Sequence, residues 1–445
     1  MIRKAFFAIA ALGLFAAGVN AQEQSTEQWS LEQCINYAHE NNITIKRQQL
    51  NVEYRQNQLK QSKYDMLPDL NADLSARLSY GLSWDPVKKD NYDQTSHNVT
   101  PSLSSRASLF EGLSKKKAVQ KEKYNLLSAE EDIKKVENDI MLSITRQYLQ
   151  ILFDKELLNV AKEQHEVSKL QMERTKKLVD AGSQAMGSFL EIKSQAAKEA
   201  LNVTQQENNL GISILNLAQL LDLESPIGFD VQSPTIPEMG EFTPDLPRSI
   251  YATAVEIMPE IKSSEYGVES KENELMEVKG SYYPKLYLSG GWNSGAYYSE
   301  GGEDNKLFTQ LKDNRQYYMG LTLSIPIFNK FRVRTGVQNT QISLNDARFK
   351  LEADKLTLRK EIQQAYADAL ASYKKYLASE EAVDSYKESF RYTEKKFNVG
   401  LVNSVDYNVA KTDFTRAQSD LLQAKYEYVL RTKILDFYRG IPIQL

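Results

Sequence analysis

Two hydrophobic periods divide the chain. After Pro68 the sequence alternates, with Leu70, Ala72, Leu74, Ala76, Leu78, Tyr80 and Leu82 on one face. Asn71, Asp73, Ser75, Arg77 and Ser79 take the other. Leu103, Ala107 and Leu109 against Ser104, Arg106 and Ser108 repeat the pattern. So do Leu286, Leu288 and Trp292 against Ser289 and Asn293, and Leu321, Leu323, Ile325 and Ile327 against Thr322 and Ser324. Period two with one apolar face predicts strands over 69–84, 102–110, 285–298 and 315–328. The segments 85–100 and 299–314 between them are polar and read as exposed loops. Elsewhere the period is seven. Ile362, Ala369, Tyr376, Val383, Phe390 and Phe397 form one seam, and Ile144, Ile151, Leu158, His165, Met172 and Val179 form another. Sustained heptads predict coiled-coil-like packing, and Ala161, Ser168, Ala365, Ser372 and Ser379 beside the seams allow close approach of helix backbones. Helices over 114–179 and 331–397 would each be about 100 Å long. Shorter helices are predicted near 31–66, 186–221 and 404–438, with another opening at 248. A helix of about 100 Å cannot wrap a globular core, so the chain is a rod or a stave of a larger tube.

The same order is written twice. Tyr64-Asp65-Met66-Leu67-Pro68-Asp69-Leu70 parallels Gly280-Ser281-Tyr282-Tyr283-Pro284-Lys285-Leu286, and Ala38/Ala254, Ile45/Ile261 and Leu59/Leu275 keep that offset. Leu109-Phe110 and Ile327-Phe328, Tyr148/Tyr366, Gly182/Gly400 and Phe189/Tyr407 follow with a small drift. A first repeat at 22–222 and a second at 248–440 are therefore expected. Between them, 223–247 holds Pro226, Pro234, Pro237, Pro244 and Pro247, which forbid continuous helix and make an extended linker.

Composition narrows the class. With 445 residues, 41% hydrophobic and 26% charged, and a mean hydropathy of −0.51, the chain is not a bundle of apolar spans. The net charge of −4 gives no basic excess for nucleic acid. One cysteine and three scattered histidines (His39, His97, His165) supply neither a disulfide nor a metal cluster. No Gly-rich phosphate loop and no nucleophile paired with a base points to an enzyme, so catalytic, metal and cofactor assignments are all none. His165 reads as a polar seam residue that constrains register. Arg3-Lys4, the apolar run Ala5–Ala17 and Val19-Asn20-Ala21 form the pattern of a secretory signal peptide over 1–21. Leu31-Glu32-Gln33 before Cys34 lacks the small residues of a lipid-anchor signal, so Cys34 is read as a lone thiol.

The strands need a partner for their apolar faces, and heptad helices have no second broad apolar face to offer. Lipid on one side and a water-filled bore on the other fits better. Trp84, Tyr92, Trp292, Tyr297, Tyr298, Tyr317 and Tyr318 near strand ends suit membrane interfaces. A sheet in lipid must close, and four strands cannot. Two copies would make a barrel filled by side chains, whereas three make the smallest one with an open bore. Asp73, Arg77 and Arg106 then face the lumen. A periplasmic coiled-coil tether without a pore is the alternative, but it leaves the strand faces unexplained.

Trp29-Ser30-Leu31-Glu32-Gln33-Cys34-Ile35 with Ala38 and Asn41-Asn42, the paired Pro68 and Pro284, Leu109-Phe110-Glu111-Gly112, Ile325-Pro326-Ile327-Phe328-Asn329 and Val399-Gly400-Leu401 together resemble the TolC family of outer-membrane efflux proteins of Gram-negative bacteria. The resemblance implies an α+β membrane fold. Four strands per chain would form a trimeric 12-stranded barrel, continued by a long helical tunnel in the periplasm. It implies an exit channel of a tripartite efflux or type I secretion system. The partners would be copies of itself, a periplasmic adaptor protein, an inner-membrane pump and outer-membrane lipid. Drugs, detergents, metal ions or polypeptides would pass. The adaptor-binding tips would be Val399, Gly400 and Leu401 with Ala181, Gly182 and Ser183 as their repeat partner. Helix capping alone also accounts for the two glycines. Asp406 matches the first acidic gate position, and Val409 falls at the second. Phe397 and Val402 stand where some relatives carry the Tyr and Arg that hold the gate shut. Asp406 equally suits a helix start, where a carboxylate meets the positive end of the dipole.

Overall fold

A computed structural model describes residues 27–85, 89–235, 242–299 and 306–445. The expected signal peptide lies outside the described residues, as do 236–241 of the Pro-rich linker, 86–88 and 300–305.

The chain begins with strand β1 (Glu27–Trp29), then helices α1 (Leu31–Asn41) and α2 (Ile43–Tyr64), the hairpin β2 (Asn71–Asp85) and β3 (Asp90–Glu111), and helices α3 (Ser114–Asp180) and α4 (Met186–Leu220). Strand β4 (Phe229–Val231) follows in the linker. The second half runs α5 (Pro247–Ile257), α6 (Pro259–Lys279), β5 (Lys285–Asn293), β6 (Ala296–Ser299), α7 (Leu307–Asp313), β7 (Gln316–Ser324), α8 (Arg332–Asn398) and α9 (Ser404–Tyr438). The two long helices, α3 and α8, have 67 residues each.

The duplication is written into the backbone. The helix expected near 31–66 is broken at Asn42 (φ −61°, ψ 127°), and the second half breaks at Met258 (φ −69°, ψ 126°). The mechanisms differ. Asn42 caps α2 by accepting from Thr44 N and Ile45 N. Met258 precedes Pro259, which disfavours helical geometry at the residue before it. Both strand-to-helix corners use two consecutive left-handed residues, Gly112-Leu113 and Lys330-Phe331. At Gly112 a Cβ would lie 2.3 Å from the Gly280 carbonyl oxygen, so the corner closes only with glycine there.

Strands β2, β3, β5 and β7 form one antiparallel sheet in that order, with β6 extending the β5 pairing against β3. The register carries single rows across all four strands. Ala72, Leu103, Trp292 and Tyr317 make one row, and Asp73, Ser102, Asn293 and Gln316 make the next. Opposite residues share a face, so the apolar and polar faces expected from each strand alone are continuous over the sheet. Among the described residues, nothing covers the apolar face. Leu74 is 74% exposed, and Leu70, Leu78, Leu82, Met319 and Leu321 are exposed beside it.

Several expected boundaries move. The segment 90–100, read as loop, is strand, paired residue for residue with β2 from Asp85↔Asp90 onward. Its polarity hid it, yet Tyr92, Thr95, Val99 and Thr100 favour extended backbone. The strand expected over 285–298 is interrupted at Ser294-Gly295. The one expected over 315–328 ends at Ser324, because Pro326 has no N–H for the ladder. Within 299–314 the helix α7 replaces a loop. A β-bulge at Leu109 makes Phe110 the partner of Leu286, so Phe110 rather than Leu109 continues the apolar rows. The described part of the linker adds what its composition did not reveal: β4 pairs in parallel with β1.

Beyond the sheet, the helices pack in two clusters and a smaller third. The first joins α1, the middle of α3, the end of α4 and both short strands around Ile151, Leu152, Leu217 and Val231. Tyr148 ties it together by donating from its hydroxyl to the Gln232 carbonyl at 2.7 Å. The lone thiol Cys34 is buried here, and desolvation pushes it up to about 12, which leaves it unreactive. The second cluster joins α5, α6, α8 and the end of α9 around Ile261, Leu358 and Ile362. The small seam residues Ala161, Ser168, Ala365 and Ser372 are buried as expected for close helix approach.

The face assignment predicts a contrast between neighbours. Leu74→Arg places a guanidinium on the apolar face, at a cost of about 2–4 kcal/mol if that face meets mid-bilayer lipid. Ser75→Arg adds the same charge to the polar face. Trimer yield, measured by light scattering in detergent, should collapse for the first and stay near wild type for the second.

Candidate functional site

The far ends of α3 and α8 are linked by Arg174 Nη1 donating to Asn398 Oδ1 at 2.7 Å, and α9 packs against both helices. Each helix ends in the same turn. Ser183 N donates to Leu178 O and Gly182 N to Val179 O, both at 2.9 Å. Leu401 N donates to Lys396 O at 2.9 Å and Gly400 N to Phe397 O at 3.1 Å. These paired bonds satisfy the last helical carbonyls and require a left-handed residue, supplied by Gly182 (φ 71°) and Gly400 (φ 77°). Lys177, Lys395 and Lys396 in the last turns face the negative ends of the helix dipoles. Ala181, Gly182, Ser183, Val399, Gly400 and Leu401 are all exposed, and a Cβ on either glycine would meet nothing within 4 Å. Two apolar side chains, Val399 at 71% and Leu401 at 74%, thus stand in solvent at the tip. The turns satisfy their own backbone and leave their outer surface free.

The residues singled out for the gate separate. Asp406 lies in the first turn of α9 and is exposed; its N–H is capped by Asn403 Oδ1 at 2.9 Å. Phe397 is 5% exposed and stacks on Tyr407 with ring centroids 4.8 Å apart. With Ile192, and with Met172, Phe390 and Val402 around it, this pair forms the third cluster. Phe397 and Val402 are therefore internal to the tip and hold its helices together by apolar contact. Desolvation in this cluster pushes the Tyr407 hydroxyl up to about 12.

Behind the cluster lies a polar layer that the sequence reading missed. Lys411 is 2% exposed and donates to the Gln164 carbonyl at 2.9 Å and to Ser168 Oγ on α3. Ser404 Oγ donates to Glu191 on α4. Burial holds the Lys411 ammonium below the ordinary lysine value, partly offset by the charge of Glu199. Its signal was spacing: Ser404, Tyr407 and Lys411 recur on one helical face, so Lys411 occupies a core position. Next to it, His165 has a buried Nδ1 without a protein partner. Among the described residues no cluster of His, Cys, Asp or Glu could hold a metal ion.

At the other end, the register places Asp73, Arg77 and Arg106 on one face, opposite Ser102, Asn98 and Ser289. The Arg106 guanidinium lies 5.9 Å from the centre of the Tyr287 ring. Charged side chains thus share the polar face of the sheet.

The comparison with known proteins accounts for this combination. The family model described as outer membrane efflux protein matches residues 34–222 and again 250–438, one match per repeat. The chain belongs to that family. The outer membrane protein TolC of Vibrio cholerae is 20% identical over 429 residues, covering 95% of this chain and 92% of the relative. The alkaline protease secretion protein AprF of Pseudomonas aeruginosa is 21% identical, covering 83% and 77%. Among solved structures, the channel-forming CusC superposes with a TM-score of 0.80 at 16% identity, covering 93% of this chain and 92% of that one. The protein is an outer-membrane exit channel, with its strands in the outer membrane and its long helices in the periplasm. The fold is that of a trimeric channel to whose 12-stranded barrel each chain contributes four strands. The relatives are channels rather than enzymes.

A buried ammonium held only by neutral oxygens should cost stability. Because the folded state depresses the Lys411 pKa, folding is penalised most at low pH, and the penalty fades as pH rises through the folded value towards the unfolded one. Lys411→Met should therefore raise the stability of the detergent-solubilised protein near pH 7 by about 1 kcal/mol. The gain over wild type should shrink near pH 10. Thermal melts at both pH values test this, and a destabilised variant would show that the ammonium holds α9 to α3.

Proposed function

We propose that the protein is the outer-membrane duct of a tripartite assembly. A periplasmic adaptor docks on the tips, and an inner-membrane pump delivers the cargo and supplies the energy. The observation that carries this reading is the pairing of an apolar-faced, open-edged sheet with helices about 100 Å long whose ends present two matching exposed turns. A turn that caps its helix and also displays Val399 and Leu401 offers a partner both backbone shape and apolar surface. Ala181, Gly182 and Ser183 offer the second, smaller half of the same footprint. The named relatives include a protease secretion protein and a toluene efflux pump component of Pseudomonas putida. The cargo is taken from drugs, detergents, metal ions and polypeptides, and those two names fit a small apolar compound and a polypeptide.

Asp406 is assigned as the acidic ring of the tunnel entrance. It is exposed and its backbone is already capped by Asn403, so its carboxylate is free to act on passing ions. Val409, one turn further, is exposed and apolar, which leaves a single ring. Phe397 contributes by packing: its stack on Tyr407 fixes the turn that carries Asp406. Asp73, Arg77 and Arg106 line the barrel lumen as a mixed-charge surface.

Two experiments test the assignment. Gly400→Trp and Gly182→Trp should abolish efflux and adaptor crosslinking while trimers still form, because the turns lie far from the barrel; crosslinking at wild-type yield in either variant would contradict the footprint. In planar bilayers the wild-type channel should favour cations, as a ring of like charge in a narrow pore does. Asp406→Asn should reduce that preference, and an unchanged selectivity would leave Asp406 a helix-starting residue only.

A further inference from the structure

At the outward end of the sheet β5 and β6 keep one register against β3. Asn293 pairs with Ser102 and Ala296 with Val99. This register puts Ala296 and Tyr298 opposite Val99 and His97, and His97 in turn opposite Leu78. All five lie on the apolar, lipid-facing side. Strand β7 begins at Gln316, opposite Asn293, so among the described residues β6 has no strand on its outer side. Helix α7 takes that place. Gln310 Oε1 accepts from Tyr297 N at 2.8 Å, and Asn314 Nδ2 donates to the Gly295 carbonyl at 2.7 Å. Ser294 Oγ donates to the Leu311 carbonyl at 2.6 Å.

Between helix and sheet a slot of about 420 Å³ remains, lined by His97, Val99, Ala296, Tyr298, Lys306 and Leu307. Its walls are mostly apolar, and Lys306 supplies one ammonium. Phe308 on the same helix is 82% exposed. The slot's sheet wall lies opposite Ala76 and Leu78 of β2, and its own Tyr297 and Tyr298 are side chains of the kind that mark the zone where lipid headgroups meet the barrel. Acyl chains and headgroup phosphates are neighbours only at this height. The outer leaflet of the outer membrane is built from phosphorylated glycolipid. Basic residues at the edge of an apolar groove are the chemistry that recognises such a headgroup.

We infer that this slot binds a phosphorylated glycolipid of the outer leaflet, with an acyl chain against Val99, Ala296, Tyr298 and Leu307 and a phosphate on Lys306. Glu300, Glu303 and Asp304 precede α7 but lie outside the described residues; the charge argument rests on Lys306, which lines the slot. The site is remote from the tips and the gate, so it stands or falls independently of adaptor docking.

The test uses the full-length trimer and native mass spectrometry. The probes are lipid A (a bis-phosphorylated, acylated disaccharide), its dephosphorylated form, phosphatidylethanolamine and inorganic phosphate. Lipid A should be retained in preference to the other three. Lys306→Glu should weaken retention by about tenfold while efflux stays at the wild-type level. Ala296→Trp, which fills the slot, should remove retention in the trimers that form. Equal retention by wild type and Lys306→Glu would overturn the proposal, as would equal retention of phosphatidylethanolamine or of the dephosphorylated form. Binding of inorganic phosphate alone would make the slot a free-anion site and overturn the lipid assignment.

Discussion

An open sheet edge cannot be left in hydrocarbon, because no water is there to satisfy its N–H and C=O groups. Strands β2 and β7 are the two edges of the sheet, and no other element of the described chain pairs with them. The apolar face lacks cover in the same way. A single chain is therefore incomplete in lipid, and closure by further copies follows from the backbone as much as from the side chains. Much else depends on that closure. The polar face becomes a lumen, the long helices hang from a common ring, and the tips converge at the far end.

The transition from barrel to tunnel is made twice with the same backbone device. Consecutive left-handed residues at Gly112-Leu113 and Lys330-Phe331 turn each second strand into a long helix. Only the first corner uses glycine, where the Gly280 backbone approaches closely. The second pays for Lys330 and Phe331 in strain, since left-handed backbone costs a non-glycine residue roughly 1–2 kcal/mol. The short helices likewise break at matching places, Asn42 by a side-chain cap and Met258 by the following proline. Duplicated architecture thus rests on different local chemistry in each half.

The tip combines two kinds of surface. Its interior is sealed by the Phe397–Tyr407 stack and the apolar side chains around it, with the buried Lys411 ammonium behind them. Its exterior shows Val399 and Leu401 to solvent. A packed interior holds the exterior turns in a fixed shape. Phe397 and Val402 belong to the interior. Apolar contact there is joined by the Arg174–Asn398 hydrogen bond between α3 and α8.

The sequence alone determined the elements that repeat with a clear period. Heptads from Ile144 and Ile362 marked both long helices to within a residue or two. Alternation from Leu70 to Leu82 marked the faces of β2, and the prolines of 223–247 marked the break between halves. These signals are local: each follows from the spacing of apolar residues along one element. Tertiary structure decided what depends on a neighbour. The polar segment 90–100 became strand because β2 lies beside it to take its hydrogen bonds, and β4 exists only because β1 pairs with it. Phe397 and Asp406 looked alike as gate candidates, yet one is buried by Ile192 and Tyr407 and the other is exposed. Lys411 is buried because α3 covers it. Periodicity reports which side of an element is apolar; only the packed chain reports what lies against that side.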